Sequence, residues 1–120
     1  MAVSTLTITS LSTSLFQDTD CANAAVTVKG SSGVLTMIDV DNTANAAATY
    51  VKMWNSTGAI TVGTTAPDQI LYVPASTRLV FVMPAGVTWG TGTQVAAVTA
   101  AGTAGTTSPT SDVIVRISYT

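Results

Sequence analysis

The most regular alternation of apolar and polar positions lies near the end of the chain, in residues 112–119. Apolar side chains occupy every second position there: Val113, Val115, Ile117 and Tyr119. Arg116 and Ser118 stand between them. This period of two is typical of an antiparallel strand with one buried face, and it predicts such a strand here.

A second run, residues 78–83, is apolar at both odd and even positions after Arg78. A strand of this kind is expected to be covered on both faces. Pro84 and Gly86, which follow this run, predict the end of the strand. The sequence therefore predicts residues 78–83 as the best candidate for the centre of the core.

Two β-rich runs, residues 24–29 and 34–40, flank the Gly/Ser cluster 30–33 and predict a hairpin. Residues 46–55 follow a second turn cluster, with Tyr50, Lys52 and Trp54 on one face and Val51 and Met53 on the other. A helix is the alternative for the alanines of this segment, but no apolar helical stripe continues beyond them.

Further strands are predicted in short apolar or β-branched segments separated by turns: residues 60–62, 69–73, 87–89 and 94–99. Residues 100–111 are predicted to form a flexible loop. Seven to nine short strands without a strong helix predict an all-β domain, an antiparallel β-sandwich. Its connectivity, jelly-roll or immunoglobulin-like, stays open at this point.

Residues 1–20 are rich in Ser and Thr and carry interspersed apolar residues. They form either the first strand or an extended arm that buries its apolar residues on a partner, and residues 21–120 form the sandwich domain. The arm predicts five partner-contacting residues: Leu6, Ile8, Leu11, Leu15 and Phe16.

Charge is scarce in this chain of 120 residues. Four basic residues stand against six acidic ones, all Asp, and neither Glu nor His occurs. Without His, the commonest general base and metal ligand is missing, so we expect no enzyme and no cofactor. Four scattered cations cannot neutralise a row of phosphates, so we expect no nucleic-acid partner.

Two D-x-D pairs, Asp39/Asp41 and Asp18/Asp20, offer oxygen ligands for a hard cation such as calcium. The EF-hand spacing is absent, and aspartates that cap turns are the favoured interpretation, so no metal site is predicted. A glycosidase pair would need these carboxylates across a cleft, which no pattern indicates. Cys21 is the single cysteine and is predicted to be a small, partly buried, apolar-like residue.

No segment reaches the 18 apolar residues expected of a membrane-spanning helix, and the first residues lack the basic start of an export signal. We therefore expect a soluble protein without a membrane partner. The aromatic residues, with Trp54 and Trp89 foremost, are predicted to lie in the core or in a subunit interface, with a carbohydrate-stacking surface as the alternative.

Across residues 35–119 the layout of strands and turns resembles that of small virion proteins of tailed bacteriophages. The resemblance is carried by these stretches: LTMIDVDNT, TYVKMWN, ITVGTTAPD, VPA, PAGVTWGTG, VAAVTAAGTAGTTSP and VIVRISYT. It implies a capsid decoration or cement protein on the outer surface of the head. Such a protein binds the major capsid protein and itself, as a homotrimer. A receptor- or carbohydrate-binding module of a tail fibre or spike, with Trp54 or Trp89 exposed in a groove, is the alternative.

Overall fold

The structure is a computed structural model that describes residues 14–120. Valine, isoleucine and threonine dominate its regular segments, as expected for pleated strands. Eight strands follow one another along the chain: β1 Ser14–Asp18, β2 Val26–Lys29, β3 Gly33–Asp41, β4 Thr49–Trp54, β5 Gln69–Val73, β6 Arg78–Trp89, β7 Thr93–Val98 and β8 Ile114–Tyr119. Residues 14–120 contain no helix, so the prediction of an all-β domain is confirmed.

The strands form two four-stranded sheets that pack together as a sandwich. Sheet A has the order β1-β8-β3-β6, and sheet B has the order β2-β7-β4-β5. Every pair of neighbouring strands is antiparallel. The predicted antiparallel β-sandwich is therefore confirmed.

Strand pairing in the sandwich is nested. The first strand pairs with the last, β2 with β7, β3 with β6, and β4 with β5. The outermost pair joins residues near the two ends of the described chain, since Ser14 lies opposite Tyr119. The domain therefore closes only when residues far apart in sequence have met.

The core lies between the two sheets and is built mainly from the inward positions of strands β2 to β8. Its fully buried members are mostly valines: Val40, Val51, Val73, Val95, Val113, Val115 and Ile117. In β8, Val115 and Ile117 point inward and Arg116 points outward, so the alternation predicted for this strand is confirmed.

The predicted hairpin between residues 24–29 and 34–40 is wrong. β2 belongs to sheet B and β3 to sheet A, so the Gly/Ser cluster carries the chain from one sheet to the other. A side chain at Gly33 would meet the Thr120 carbonyl oxygen at 2.6 Å, which explains why this crossing needs glycine. Turn composition predicts that the chain reverses but does not specify the strand that each arm pairs with.

The prediction that residues 78–83 are covered on both faces is also wrong. β6 is an edge strand of sheet A, and its outward residues Val80 and Val82 are exposed. The strand continues through Pro84 to Trp89, with an irregular register opposite Leu35–Met37 and a positive φ of 73° at Gly86. Proline is compatible with this position because the other side of an edge strand forms no ladder.

Residues 60–62 do not form a strand, and residues 46–48 precede β4 without forming a helix. In residues 14–120 no helix is present that could cross a membrane. β1 lies within the segment 1–20, so the expected boundary at residues 20 and 21 falls between two strands of one sandwich.

Candidate functional site: an uncovered sheet face and an open edge

The protein itself covers most of the outer face of sheet B, although Tyr72 on the edge strand β5 stays exposed. Lys52 and Trp54, which were predicted to share a face, both point outward from β4 and are nevertheless buried. The Lys52 ammonium donates hydrogen bonds to the carbonyl oxygens of Thr103 (3.0 Å) and Gly105 (2.7 Å). The Trp54 indole N–H donates to the Thr65 carbonyl at 3.1 Å. Two loops, residues 55–68 and 99–113, therefore close most of this face.

Burial changes the pKa of the Lys52 ammonium. Removal from water disfavours the charged ammonium and lowers the pKa of Lys52. Both carbonyl acceptors belong to the loop 99–113, so the ammonium serves to hold that loop against the sheet. The part of the outer face of sheet B around Lys52 thus has a structural role and is closed to a partner.

The outer face of sheet A has no such cover among residues 14–120. We call it the open face, formed by the outward residues of β1, β8, β3 and β6. Its most exposed apolar side chains are Leu15 (59% exposed), Val80 (50%) and Val82 (64%). The strand register places Leu15, Ser118, Met37 and Val82 in one row across all four strands. Three of these four residues are apolar, and this row, which we call the apolar row, is exposed unless another molecule covers it.

A polar row runs beside the apolar one and also crosses the four strands. Asp39 of β3 is buried and accepts hydrogen bonds from Arg78 of β6 on both carboxylate oxygens, at 2.9 and 2.6 Å. Arg116 of β8 lies 3.6 Å from the same carboxylate and donates to the Gln17 amide oxygen of β1 at 2.8 Å. The Asp39 carboxylate raises the pKa of Arg78. The row clamps the sheet together and keeps two cations at fixed places on the open face.

Three of the four aspartate carboxylates in the two D-x-D pairs make contacts within the chain. Asp39 binds the two arginines, and the Asp41 carboxylate accepts hydrogen bonds from the Thr43 amide (3.0 Å) and hydroxyl (2.6 Å). The Thr43 hydroxyl and amide lower the pKa of Asp41. Asp18 accepts from the Asp20 amide at 3.0 Å. Asp18 and Asp41 thus cap turns, as predicted, and residues 14–120 contain no group of three or more potential metal-ligating side chains.

The sandwich is open where the edge strands β5 and β6 lie side by side. A cavity of about 430 Å³ enters the core there, and we call it the edge groove. Its lining is mainly apolar and comes from both sheets: Leu35, Leu71, Phe81, Met83, Val87 and Trp89. Val87 is exposed at its rim. The shape and lining suit an apolar segment and offer few polar groups for the chemistry of a substrate.

Neither tryptophan is available for stacking on a sugar. Trp54 is 1% exposed and Trp89 is 9% exposed, so the expectation that one of them lies exposed in a groove is wrong. Trp89 forms part of the wall of the edge groove. Trp89 therefore lies in the core, as predicted, whereas Trp54 is buried on the outer face of sheet B beneath the loop 55–68.

Cys21 follows β1 and belongs to the core, so it is buried more completely than the partial burial predicted. Burial raises the pKa of the Cys21 thiol to about 12, and the charges of Asp18 and Asp20 act in the same direction. The thiolate, which is the reactive form, is therefore scarce at neutral pH.

The five predicted partner-contacting residues fall into three groups. Leu15 is exposed on the open face. Phe16 points the other way, lies opposite Ile117 and packs against the core. Leu6, Ile8 and Leu11 lie outside the described residues. The sequence did not predict the open face of β6, although Pro84 within an apolar run was the signal of an edge strand.

Comparison with known proteins gives no relative for this chain. No protein-family profile matches it, and searches of curated proteins and of solved structures return no match.

Proposed function

We propose that the chain is a structural virion protein that decorates a bacteriophage capsid and stabilises it. It binds the assembled lattice of the major capsid protein on the outer surface of the head, and it acts as a homo-oligomer, a trimer in the arrangement we favour. The observation that carries this proposal is the unequal cover of the two sheets. Loops of the chain itself cover the centre of sheet B and leave Tyr72 exposed at its edge, whereas the open face presents several apolar residues to a partner.

The binding free energy available from one open face is small, which suits a protein that makes the same contact many times on a lattice. Leu15, Val80 and Val82 are each at least half exposed. Completing the burial of such a side chain stabilises a contact by on the order of 1 kcal/mol. One copy would bind weakly through this face, but a subunit that touches several lattice neighbours, or an oligomer that binds with several faces, gains affinity from each additional contact.

Stabilisation of the capsid would follow from mass action. A protein that binds the assembled lattice and not its free subunits shifts the equilibrium toward the lattice without any chemical step. The scarcity of charge is consistent with this role, since the chain has only ten charged side chains with which to repel a neighbour.

The nested strand pairing supports a virion role as well. We infer jelly-roll connectivity from it, because a ribbon of four strand pairs folded over on itself produces the order β1-β8-β3-β6 facing β2-β7-β4-β5. Jelly rolls occur in viral capsid proteins and also in lectins and cupins, so the fold agrees with the proposal but does not select it. The buried tryptophans remove the feature on which a sugar-binding module was predicted.

A binding experiment with assembled heads tests the proposal. Purified protein is added to heads that lack it and to free major capsid subunits, and the bound fraction is measured by sedimentation. We expect binding to heads only. Val82→Glu places a charge in the open face and should weaken binding at least about tenfold.

Tyr72→Glu is the matched control, because Tyr72 is an exposed residue of sheet B. It should bind as the unchanged protein does, provided circular dichroism shows that both variants fold. The proposal is wrong if the protein does not bind heads, or if Val82→Glu binds them normally.

A further inference from the structure

We propose that the edge groove and the free side of β6 bind the amino-terminal segment, residues 1–13, of a second copy of this chain. The segment would add a strand to sheet A and place Leu6 and Ile8 in the groove. This inference concerns the protein's association with itself and does not depend on binding to a capsid.

The first argument is the unpaired side of β6. This strand of twelve residues pairs with β3 on one side only, and no strand in residues 14–120 pairs with its other side. Its outward backbone N–H and C=O groups are a template on which an extended segment can form a ladder. Such an addition supplies main-chain hydrogen bonds, and pockets for alternate side chains then select the segment.

The second argument is the match between groove and segment. The edge groove is about 430 Å³ and is lined mainly by apolar side chains, with Val87 exposed at its rim. Residues 5–9 read Thr-Leu-Thr-Ile-Thr. In an extended strand Leu6 and Ile8 share one face and the threonines share the other. The face with Leu6 and Ile8 therefore matches the apolar groove, and the threonine face can be exposed to solvent.

The third argument concerns length. The thirteen residues before β1 can span about 43 Å when extended. Ser14 lies on the opposite edge of sheet A from β6, three strand spacings or about 14 Å away. The segment is therefore long enough to reach beyond its own domain and to lie along the edge of a neighbouring copy.

Strand direction favours a second copy over the chain's own groove. Ser14, Tyr119, Leu35 and Val87 lie at the same end of sheet A, and β6 runs toward that end. A segment that lay along its own β6 and then crossed to Ser14 would have to run parallel to β6. Every other strand pair in residues 14–120 is antiparallel, the more stable arrangement. A second copy can approach in the antiparallel direction.

If every copy exchanges residues 1–13 with its neighbours, the result is a closed oligomer. Each copy would give its segment to one neighbour and receive a segment from another, and this head-to-tail contact closes into a ring when the rotation permits. A ring of three copies would have no free β6 edge.

Paired variants of the full chain test the role of the two apolar residues. Leu6→Asp/Ile8→Asp charges the face directed at the groove, and Thr5→Asp/Thr7→Asp adds the same charge to the other face. Sedimentation velocity over a range of concentrations measures the oligomeric state. We expect the unchanged chain and the threonine pair to form oligomers. The leucine–isoleucine pair should need at least about tenfold higher concentration to associate.

The inference is overturned if the unchanged chain is monomeric throughout, or if the two pairs of substitutions behave alike. Because the experiment contains no capsid, its failure would leave the proposed function standing. Equally, if the unchanged chain did not bind heads, the proposed function would fail and the exchange would still stand.

Cross-linking identifies which groove is occupied. A chain with Ile8→Cys is mixed with a differently tagged chain carrying Val87→Cys, and a short bismaleimide is added. A covalent dimer of the two tagged chains is expected. Replacing Val87→Cys by Tyr72→Cys is the matched control and should give no product. Cys21 is buried and should not interfere.

The alternative is that the groove holds residues 1–13 of its own chain, and cross-linking then gives a different product. If the segment lies in its own groove, the mixture gives no dimer, and a chain carrying both Ile8→Cys and Val87→Cys becomes cross-linked at the mass of a monomer. That result, or the absence of any cross-link, would overturn the proposal.

Discussion

Lys52 and Arg78 are both cations at outward positions of a sheet, yet Lys52 is fully buried and Arg78 is half exposed. Lys52 lies on an inner strand and Arg78 on an edge strand, but an outward side chain on either strand is buried only where something covers that face. The difference comes from the loop 99–113, whose carbonyl groups enclose the Lys52 ammonium, while no loop in residues 14–120 covers sheet A. The alternation in β4 predicted which face Lys52 shares with Trp54, but it could not predict that the face is covered.

The burial of Cys21 gives a prediction at the residue scale. In the folded chain the pKa of the thiol is raised from 9.0 to about 12. Below pH 9 the thiol is protonated in both states. Between pH 9 and pH 12 the unfolded chain releases the proton that the folded chain retains, so this contribution to stability is lost as pH rises.

Denaturant unfolding of the unchanged chain and of Cys21→Ala at pH 8 and pH 11 tests this. The alanine variant lacks the titrating thiol, so the other groups that titrate in this range cancel in the comparison. The stability advantage of the unchanged chain should shrink by roughly 2 to 3 kcal/mol between the two pH values. An advantage that is the same at both would contradict a protected thiol.

At the scale of the element, β6 shows how one pattern can have two causes. Its run of apolar residues was predicted to be a strand covered on both faces, and it is an edge strand with an exposed apolar face. The period of side chains along a strand determines which residues share a face. Whether a face is covered depends on neighbouring elements or on other molecules, and residues 78–83 contain no information about either.

The loop 99–113 gives a prediction at the same scale. Lys52→Met keeps the apolar stem of the side chain but removes the donor to Thr103 and Gly105. The loop should therefore open more often, and exchange of the Thr99 amide, which donates to the Thr107 carbonyl, should accelerate roughly tenfold. Hydrogen exchange measured by NMR reports this amide directly.

Lys29→Met is the matched control for the loop. The Lys29 ammonium also donates to a carbonyl, that of Thr120 at 2.8 Å, but at a different place in the sandwich. It should leave exchange at Thr99 unchanged. Equal acceleration in both variants would mean that loss of a lysine weakens the whole domain and that Lys52 does not act through the loop.

At the scale of the whole molecule, nested pairing predicts slow folding. β1 can pair only after β8 has been reached, and the other pairs except β4–β5 also join distant segments. Domains dominated by such long-range contacts refold in milliseconds to seconds, because loop closure costs entropy before the contacts form. Stopped-flow fluorescence at low protein concentration, where association is negligible, measures the rate.

The two tryptophans serve as probes of the two sheets, since Trp54 lies in β4 and Trp89 in β6. Trp54→Phe and Trp89→Phe each leave one of them. Both variants should show the same refolding rate if the sandwich closes in one step. A complete sub-millisecond recovery of fluorescence would contradict the prediction.

The sequence by itself determined the class of the fold, most strand positions and the inward residues of β8, because these follow from side-chain shape and from a period of two. It also determined the turn-capping roles of Asp18 and Asp41, which depend only on neighbours two residues away. The sheet that each strand joins, the burial of Lys52 and the exposure of β6 were decided by the tertiary structure alone. Each of these depends on pairing or cover by segments far along the chain, and no local pattern records where those segments come to lie.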